Sequence, residues 1–340
     1  MRQIVSDFIG YKDIIFDLDG VITQEGRYWD AAALAVFEAL CIKEKKPCSV
    51  SLMYDRMADI RKQIFFNDKL LCLMKARGVN ANCDLAYVTF CLLLPRGVEG
   101  SEELFFEIEQ APHMTAFALY EEGARRAAKA LSLSEKSCMR GGSLWQDFCD
   151  FYNTWLLGSD IFRERFKKEP FGEDKQPLLL TEEPLLAPKL LKETLQALSR
   201  AGIRLGVATG RLRADCMHPL TTAGVLSLFD PNGFITYDDV LLAEQQTGAS
   251  LTKPSPWMFQ KALFGSDFPD ARILSEDYDK ERIQTTLIVG DAGADMAAAI
   301  AMGADFCAVL TGAHGQNGRP LFEKDARFIL NDVSFITEDI

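Results

Sequence analysis

Histidine is scarce in this 340-residue chain: only His113, His218 and His314 occur, far apart, so no zinc pattern emerges. Nine cysteines are present, but their number is odd and none forms a C-x-x-C pair. A chain of this length needs no disulfide staples, so reduced, mostly buried thiols in a cytoplasm are expected. Long hydrophobic runs are missing too. The most apolar stretch, Leu85 to Leu94, is too short for a bilayer of roughly 30 Å and reads as a core helix. Met1 to Tyr11 lacks an apolar segment behind a basic start, so no signal peptide is expected. Positive charge is in deficit. The net charge of −12 disfavours nucleic acid and anionic membrane surfaces as partners, because both are polyanions. Internal repeats and low-complexity tracts are absent.

What remains is a globular composition, 48% hydrophobic and 25% charged, that supports a sizeable core. The length points to two domains. Asp13-Ile14-Ile15-Phe16-Asp17 is a short apolar run ending in acid, the pattern of a buried parallel strand opening into a loop. Helical spacing then dominates: Trp29 to Leu40, Leu52 to Ala76, Ala81 to Leu94, Glu102 to Gln110, Ala116 to Leu131 and Ser143 to Leu157. Prolines at 170, 177, 184 and 188 mark a linker. Beyond it strands and helices alternate. Strands are expected at Ile203 to Ala208, Gly233 to Thr236, Thr286 to Val289, Phe306 to Leu310 and Arg327 to Leu330. Helices are expected at Pro188 to Arg200, Leu212 to Ala223, Pro256 to Phe264 and Ala294 to Met302. Residues 266–285 read as an exposed loop or short extension. This predicts an α/β fold, a doubly wound parallel sheet of residues 1–23 and 178–340, with an all-helical domain of residues 24–177 inserted after the first strand.

In open α/β sheets, sites form where strands end. The first strand ends in Asp17-Leu18-Asp19-Gly20-Val21 and the next in Ala208-Thr209-Gly210-Arg211. Lys253-Pro254 precedes a helix, and the strand at 286–289 runs into Gly290-Asp291-Ala292-Gly293-Ala294-Asp295. Asp17 and Asp19 would point the same way along an extended segment and repel, unless a cation or a proton intervenes. An EF-hand does not fit, since Gly20 falls too early and Val21 and Tyr28 stand where acidic ligands belong. Asp291 and Asp295 share a helix face, where acids also serve as ordinary caps. Taken singly, each group has a plain structural explanation: an acidic turn, a cap, a strand-to-helix turn, a solvated lysine.

Together, Phe16-Asp17-Leu18-Asp19-Gly20-Val21, Val207-Ala208-Thr209-Gly210, Lys253-Pro254 and Val289-Gly290-Asp291 through Asp295 resemble the four motifs of the haloacid dehalogenase superfamily, in the family's order. The likeness covers the α/β core, and the helical insert matches the place of the family's helical cap, in the phosphoglycolate phosphatase and β-phosphoglucomutase-like branch. The resemblance implies a Mg²⁺-dependent phosphatase acting on a small phosphorylated metabolite. Asp17 would be nucleophile and metal ligand. Asp19 would be acid and base, lending its backbone carbonyl to the metal. Asp291 and Asp295 would complete the metal site, and Thr209, Gly210 and Lys253 would bind phosphate.

Related chemistries stay open. A dehalogenase would have no use for Asp19 as an acid. A β-phosphoglucomutase has a Thr and a His early in its cap, where this chain has Glu25 and Trp29. A phosphonatase needs a cap lysine, and Lys43, Lys45, Lys46, Lys62 and Lys69 are available but read as solvated charges. A non-catalytic binding protein of the same fold would usually lack one of the motif residues. In the insert, Glu25, Arg27, Tyr28 and Trp29 lie at the entrance and could touch substrate, though Trp29 is better read as starting the core face of the first helix. Arg125, Arg126, Arg163, Arg165, Lys167 and Lys168 could read a second anion or lie on solvated helix faces. Monomer and homodimer are both compatible with this pattern.

Overall fold

The structure, a computed structural model, describes residues 2–79, 81–313 and 315–339. His314, one of the histidines weighed above, lies outside them. The chain forms two compact units, one of Met1–Glu25 and Glu182–Ile340, the other of Gly26–Thr181.

The first unit is built on a parallel sheet. Its strands are β2 (Asp13–Phe16), β3 (Arg204–Ala208), β4 (Phe234–Ile235), β5 (Thr286–Gly290), β6 (Asp305–Val309) and β7 (Phe328–Leu330), in the order β4-β3-β2-β5-β6-β7. Every neighbouring pair is parallel. The central strand β2 is buried along its whole length, and alternate residues serve opposite faces. Ile14 and Phe16 pack with Leu191, Leu195 and Leu198 of the helix Pro188–Arg200. Ile15 joins Trp257, Phe259, Ala298 and Ala299 on the other face. Helices cover both sides, as parallel strands require.

Three features differ from the sequence reading. Outside the sheet, β1 (Arg2–Ile4) pairs antiparallel with β8 (Thr337–Asp339). An additional helix, Tyr237–Thr247, starts at a capping box in which Thr236 and Asp239 each satisfy the other's backbone N–H. The 266–285 stretch contains two short helices, Asp270–Leu274 and Lys280–Ile283.

The second unit is all helical, from Gly26–Lys43 to Ser143–Phe166. Its core takes in Leu34, Leu85, Tyr87, Phe148, Trp155, Leu178 and Leu179. Burial of Leu178 and Leu179 carries this unit a few residues beyond the position 177 expected from the proline-rich stretch. The single helix expected over Leu52 to Ala76 is three: Val50–Asp55, Met57–Ile64 and Lys69–Ala76. Phe66, Asn67 and Asp68 all have positive φ, and such left-handed residues cannot continue a right-handed helix. The helix begun at Ser143 passes a kink at Gly158 (φ 73°). A Cβ at Gly158 would lie 2.7 Å from the Pro177 backbone nitrogen.

The cysteines also depart from expectation. Cys83 and Cys149 form a disulfide, with Cα atoms 5.7 Å apart. The helices Asn82–Leu93 and Ser143–Phe166 pack together, which brings these residues face to face although 66 positions separate them. The other seven cysteines are free. Among the described residues no helix is long and apolar enough to cross a membrane.

Candidate active site

The carboxyl ends of β2, β3, β5 and β6 deliver the polar groups of the first unit to one edge of the sheet. Asp17 directly follows β2, and its N–H donates to the Val289 carbonyl at 2.9 Å, continuing the ladder to β5. The chain then winds around the Leu18 carbonyl, which accepts from Val21 (3.2 Å), Ile22 (2.9 Å) and Thr23 (2.8 Å). Asp291 follows β5, and Asp295 lies in the first turn of the helix Gly293–Met302. The Asp295 carboxylate accepts from the Ala292 N–H at 3.3 Å, so it is a cap as well as a site residue.

Asp17, Asp291 and Asp295 each present a carboxylate oxygen within 4.8 Å of the others. Lys253 stands among them, its Nζ 2.8 Å from Asp17 Oδ1 and 2.8 Å from Asp295 Oδ1. Lys253 thus engages two of the three acids. Hard oxygen donors at this spacing suit a divalent cation.

Two glycines shape the cluster. A Cβ at Gly20 would come within 2.3 Å of Asp291 Oδ2, and one at Gly312 within 1.7 Å. Gly20 also has φ +70°, a left-handed conformation that favours glycine. The Thr311 hydroxyl donates to the Gly20 carbonyl at 2.5 Å and joins the two loops.

Burial dominates the electrostatics of Asp17 and pushes its pKa up to about 7; Lys253 works against this, while Asp295 and Asp19 add to it. Burial disfavours the charge on Lys253, but the Asp17 and Asp295 carboxylates outweigh that and hold its pKa above the usual lysine value.

Asp19 stands outside the three-carboxylate cluster. Its Oδ1 accepts from Arg211 Nε at 2.8 Å and also from Nη2. Arg211 in turn forks onto Glu182, Nη1 to Oε2 at 2.7 Å and Nη2 to Oε1 at 2.6 Å. Thr209 is fully buried after β3; its N–H donates to the Ile235 carbonyl at 3.0 Å, and its hydroxyl accepts from the Arg211 N–H at 3.2 Å. Gly210 beside it is exposed. The structure thus brings Asp17, Asp291, Asp295 and Lys253 into contact range and gives Asp19 a partner of its own. In the sequence Arg211 stands beside Thr209-Gly210 with no role of its own, and Glu182, Thr311 and Gly312 belong to no recognisable motif. Only Arg211, adjacent to Thr209-Gly210, carried a local signal.

Within the helical unit, Arg27 pairs with Asp30 at 3.1 Å, and Tyr28 is buried. The Trp29 ring lies under Arg61 at 4.8 Å and Lys75 at 5.1 Å. Arg125 and Arg126 pair with Glu122, Arg163 with Glu173, and Lys168 with Asp150, each at 2.6 Å. Acids therefore already engage these cations. Lys43, Lys45, Lys46, Lys62 and Lys69 are exposed.

A family model described as haloacid dehalogenase-like hydrolase matches residues 11–303. Among solved structures, a structural-genomics target is 27% identical with a TM-score of 0.75, covering 95% of this chain and 96% of that one. One described as a predicted phosphoglycolate phosphatase from Haemophilus somnus is 17% identical with a TM-score of 0.47, covering 96% of each chain. A family hydrolase from Deinococcus radiodurans with bound phosphate and sodium is 14% identical with a TM-score of 0.42, covering 96% of this chain and 94% of that one. Comparison with curated proteins finds no match.

Proposed function

The chain belongs to the haloacid dehalogenase-like hydrolases, and from that premise we propose that it is a magnesium-dependent phosphatase of a small phosphorylated metabolite, working through an aspartyl phosphate on Asp17. The observation that carries this reading is the trio Asp17, Asp291 and Asp295, with ligand oxygens within 4.8 Å of one another, around Lys253. These three acids would hold the magnesium. When bound, it offsets the repulsion between carboxylate and phosphate and polarises the phosphoryl oxygens.

An Asp17 oxygen attacks phosphorus, and the bond from phosphorus to the leaving oxygen breaks as Asp19 gives that oxygen a proton. Asp19 then takes a proton from the water that attacks the acyl phosphate, which frees phosphate and restores Asp17. The Thr209 hydroxyl and Gly210 N–H receive phosphoryl oxygens, and Lys253 offsets their charge as a compact cation. The helical unit, Gly26–Thr181, acts as a cap that selects the leaving group.

A phosphate-release screen over a broad panel of monoesters, with Mg²⁺ and with EDTA, tests this. Turnover is expected only with the metal, and Asp17→Asn is expected to abolish it. Wild-type rates in Asp17→Asn, or full activity in EDTA, would reject the reading.

A further inference from the structure

Arg211 is almost wholly buried, with 1% of its side chain exposed, and Glu182, with which it forks, is buried completely. Taking such a pair out of water costs about as much as it returns, so stability alone is a weak reason for it. Its geometry offers another. Nε and Nη2 of Arg211 converge on one oxygen of Asp19, Oδ1. Among the described residues no hydrogen bond engages the other oxygen, Oδ2. Nη2 also donates to the Gln24 carbonyl at 3.0 Å. Gln24 and Glu182 lie beside the two points, 25/26 and 181/182, where the chain leaves and re-enters the α/β unit. One guanidinium therefore ties both crossings to the same carboxylate.

We propose that Arg211, braced by Glu182, is a positioning residue that anchors Asp19 through Oδ1 so that Oδ2 carries the proton to and from the reacting oxygens. The guanidinium is a rigid planar fork, and two of its N–H groups converging on Oδ1 restrain the position of that oxygen before substrate arrives. Arg211 is poorly placed to read substrate itself. Its Nε, Nη1 and Nη2 are all engaged within the protein. In the first step the proton on Oδ2 moves to the leaving oxygen as its bond to phosphorus breaks; in the second, Oδ2 recovers a proton from water.

This inference rests on the phosphatase reading, and its test is separable from that one. Phenyl phosphate and p-nitrophenyl phosphate have nearly the same shape, but phenoxide, with a conjugate acid of pKa about 10 like tyrosine, needs a proton far more than nitrophenoxide does. With Mg²⁺, kcat/KM reports phosphoryl transfer to Asp17 alone. Arg211→Gln is expected to lower kcat/KM at least about tenfold more on phenyl phosphate than on p-nitrophenyl phosphate, a fraction of the roughly 10²–10⁴-fold that a general acid supplies. Its Mg²⁺-induced thermal shift should stay as in the wild type. Equal losses on both esters, or no loss on either, would overturn the proposal. If Arg211→Gln does not fold, Glu182→Gln decides by the same ratio, because Glu182 braces the guanidinium that holds Asp19. A wild-type enzyme inactive on every phosphate ester would instead remove the reading beneath it.

Discussion

Gly312 faces Asp291 so closely that a Cβ on the glycine would lie 1.7 Å from the carboxylate Oδ2 and 2.8 Å from the aspartate's own Cβ. Gly20 presses the same carboxylate from a second loop. The position of Asp291 is thus fixed by two backbones that have room for nothing larger. Neither glycine offers a ligand atom, yet both decide where the Asp291 carboxylate, the proposed ligand, sits.

Gly312→Ala should therefore fold but displace Asp291, since the side chain yields more readily than the surrounding backbone. Supporting residues of this kind typically change metal affinity or activity by about 10–100-fold. Titrating Mg²⁺ against the melting temperature measures it. A midpoint equal to wild type would mean that Asp291 does not bind the metal from this position.

The same cluster sets a pH dependence. Burial and neighbouring acids raise the pKa of Asp17 in the folded protein to about 7, against an ordinary value of 3.8. The folded state then holds the proton more tightly than the unfolded state. The contribution to stability is full below about pH 4, fades as pH rises, and is gone above about pH 7. In EDTA, wild-type stability should fall over this window more steeply than that of Asp17→Asn. Saturating Mg²⁺ should flatten the wild-type curve and leave the variant's unchanged. Parallel curves for the two proteins in EDTA would contradict the assignment.

The disulfide gives a third expectation. Cys83 and Cys149 close a long loop within the helical unit, and cross-links of this kind stabilise by about 2–4 kcal/mol. Alkylation of the unreduced, denatured protein should label seven of its nine cysteines. Reduction, or Cys83→Ser, should lower the denaturation midpoint of the helical unit. Nine labelled cysteines would show that the bond does not form.

These features differ in how far the sequence reveals them. Strand β2 is legible because burial on both faces makes Ile14, Ile15 and Phe16 a continuous apolar run. Asp17, Thr209 and Asp291 are legible because each stands immediately after such a run. The helix at Tyr237–Thr247 was also announced, by Thr236 three places before Asp239, but its mixed polar texture hid the signal. The breaks at Phe66, Asn67 and Asp68 carry no glycine or proline to mark them, and apolar spacing runs on through them. Gly312 and Glu182 are of another kind. The need for a glycine at 312 arises from Asp291, and Glu182 gains its role from Arg211, so both meanings exist only after folding. Cys83 and Cys149 share that property: an odd cysteine count argued against pairing, and only helix packing brings these two together.

A last expectation concerns the core of the helical unit, where Lys175 is buried with 1% of its side chain exposed and its Nζ lies 2.9 Å from Glu38 Oε2. The ammonium also sits 4.8 Å from the Trp155 ring and 5.0 Å from that of Phe151. Trp155 Nε1 donates to the same Glu38 oxygen at 2.8 Å. Glu38→Ala would leave a buried cation and a buried indole N–H without their shared acceptor. Removing one partner of such a pair typically costs about 3–5 kcal/mol, whereas replacing both by apolar residues of similar volume is often neutral. Glu38→Ala should therefore lower the urea midpoint of the helical unit sharply, and Glu38→Leu combined with Lys175→Met should recover most of the loss. Equal losses in the single and double variants would mean that the hydrogen bond to Trp155, rather than the ion pair, holds this core together.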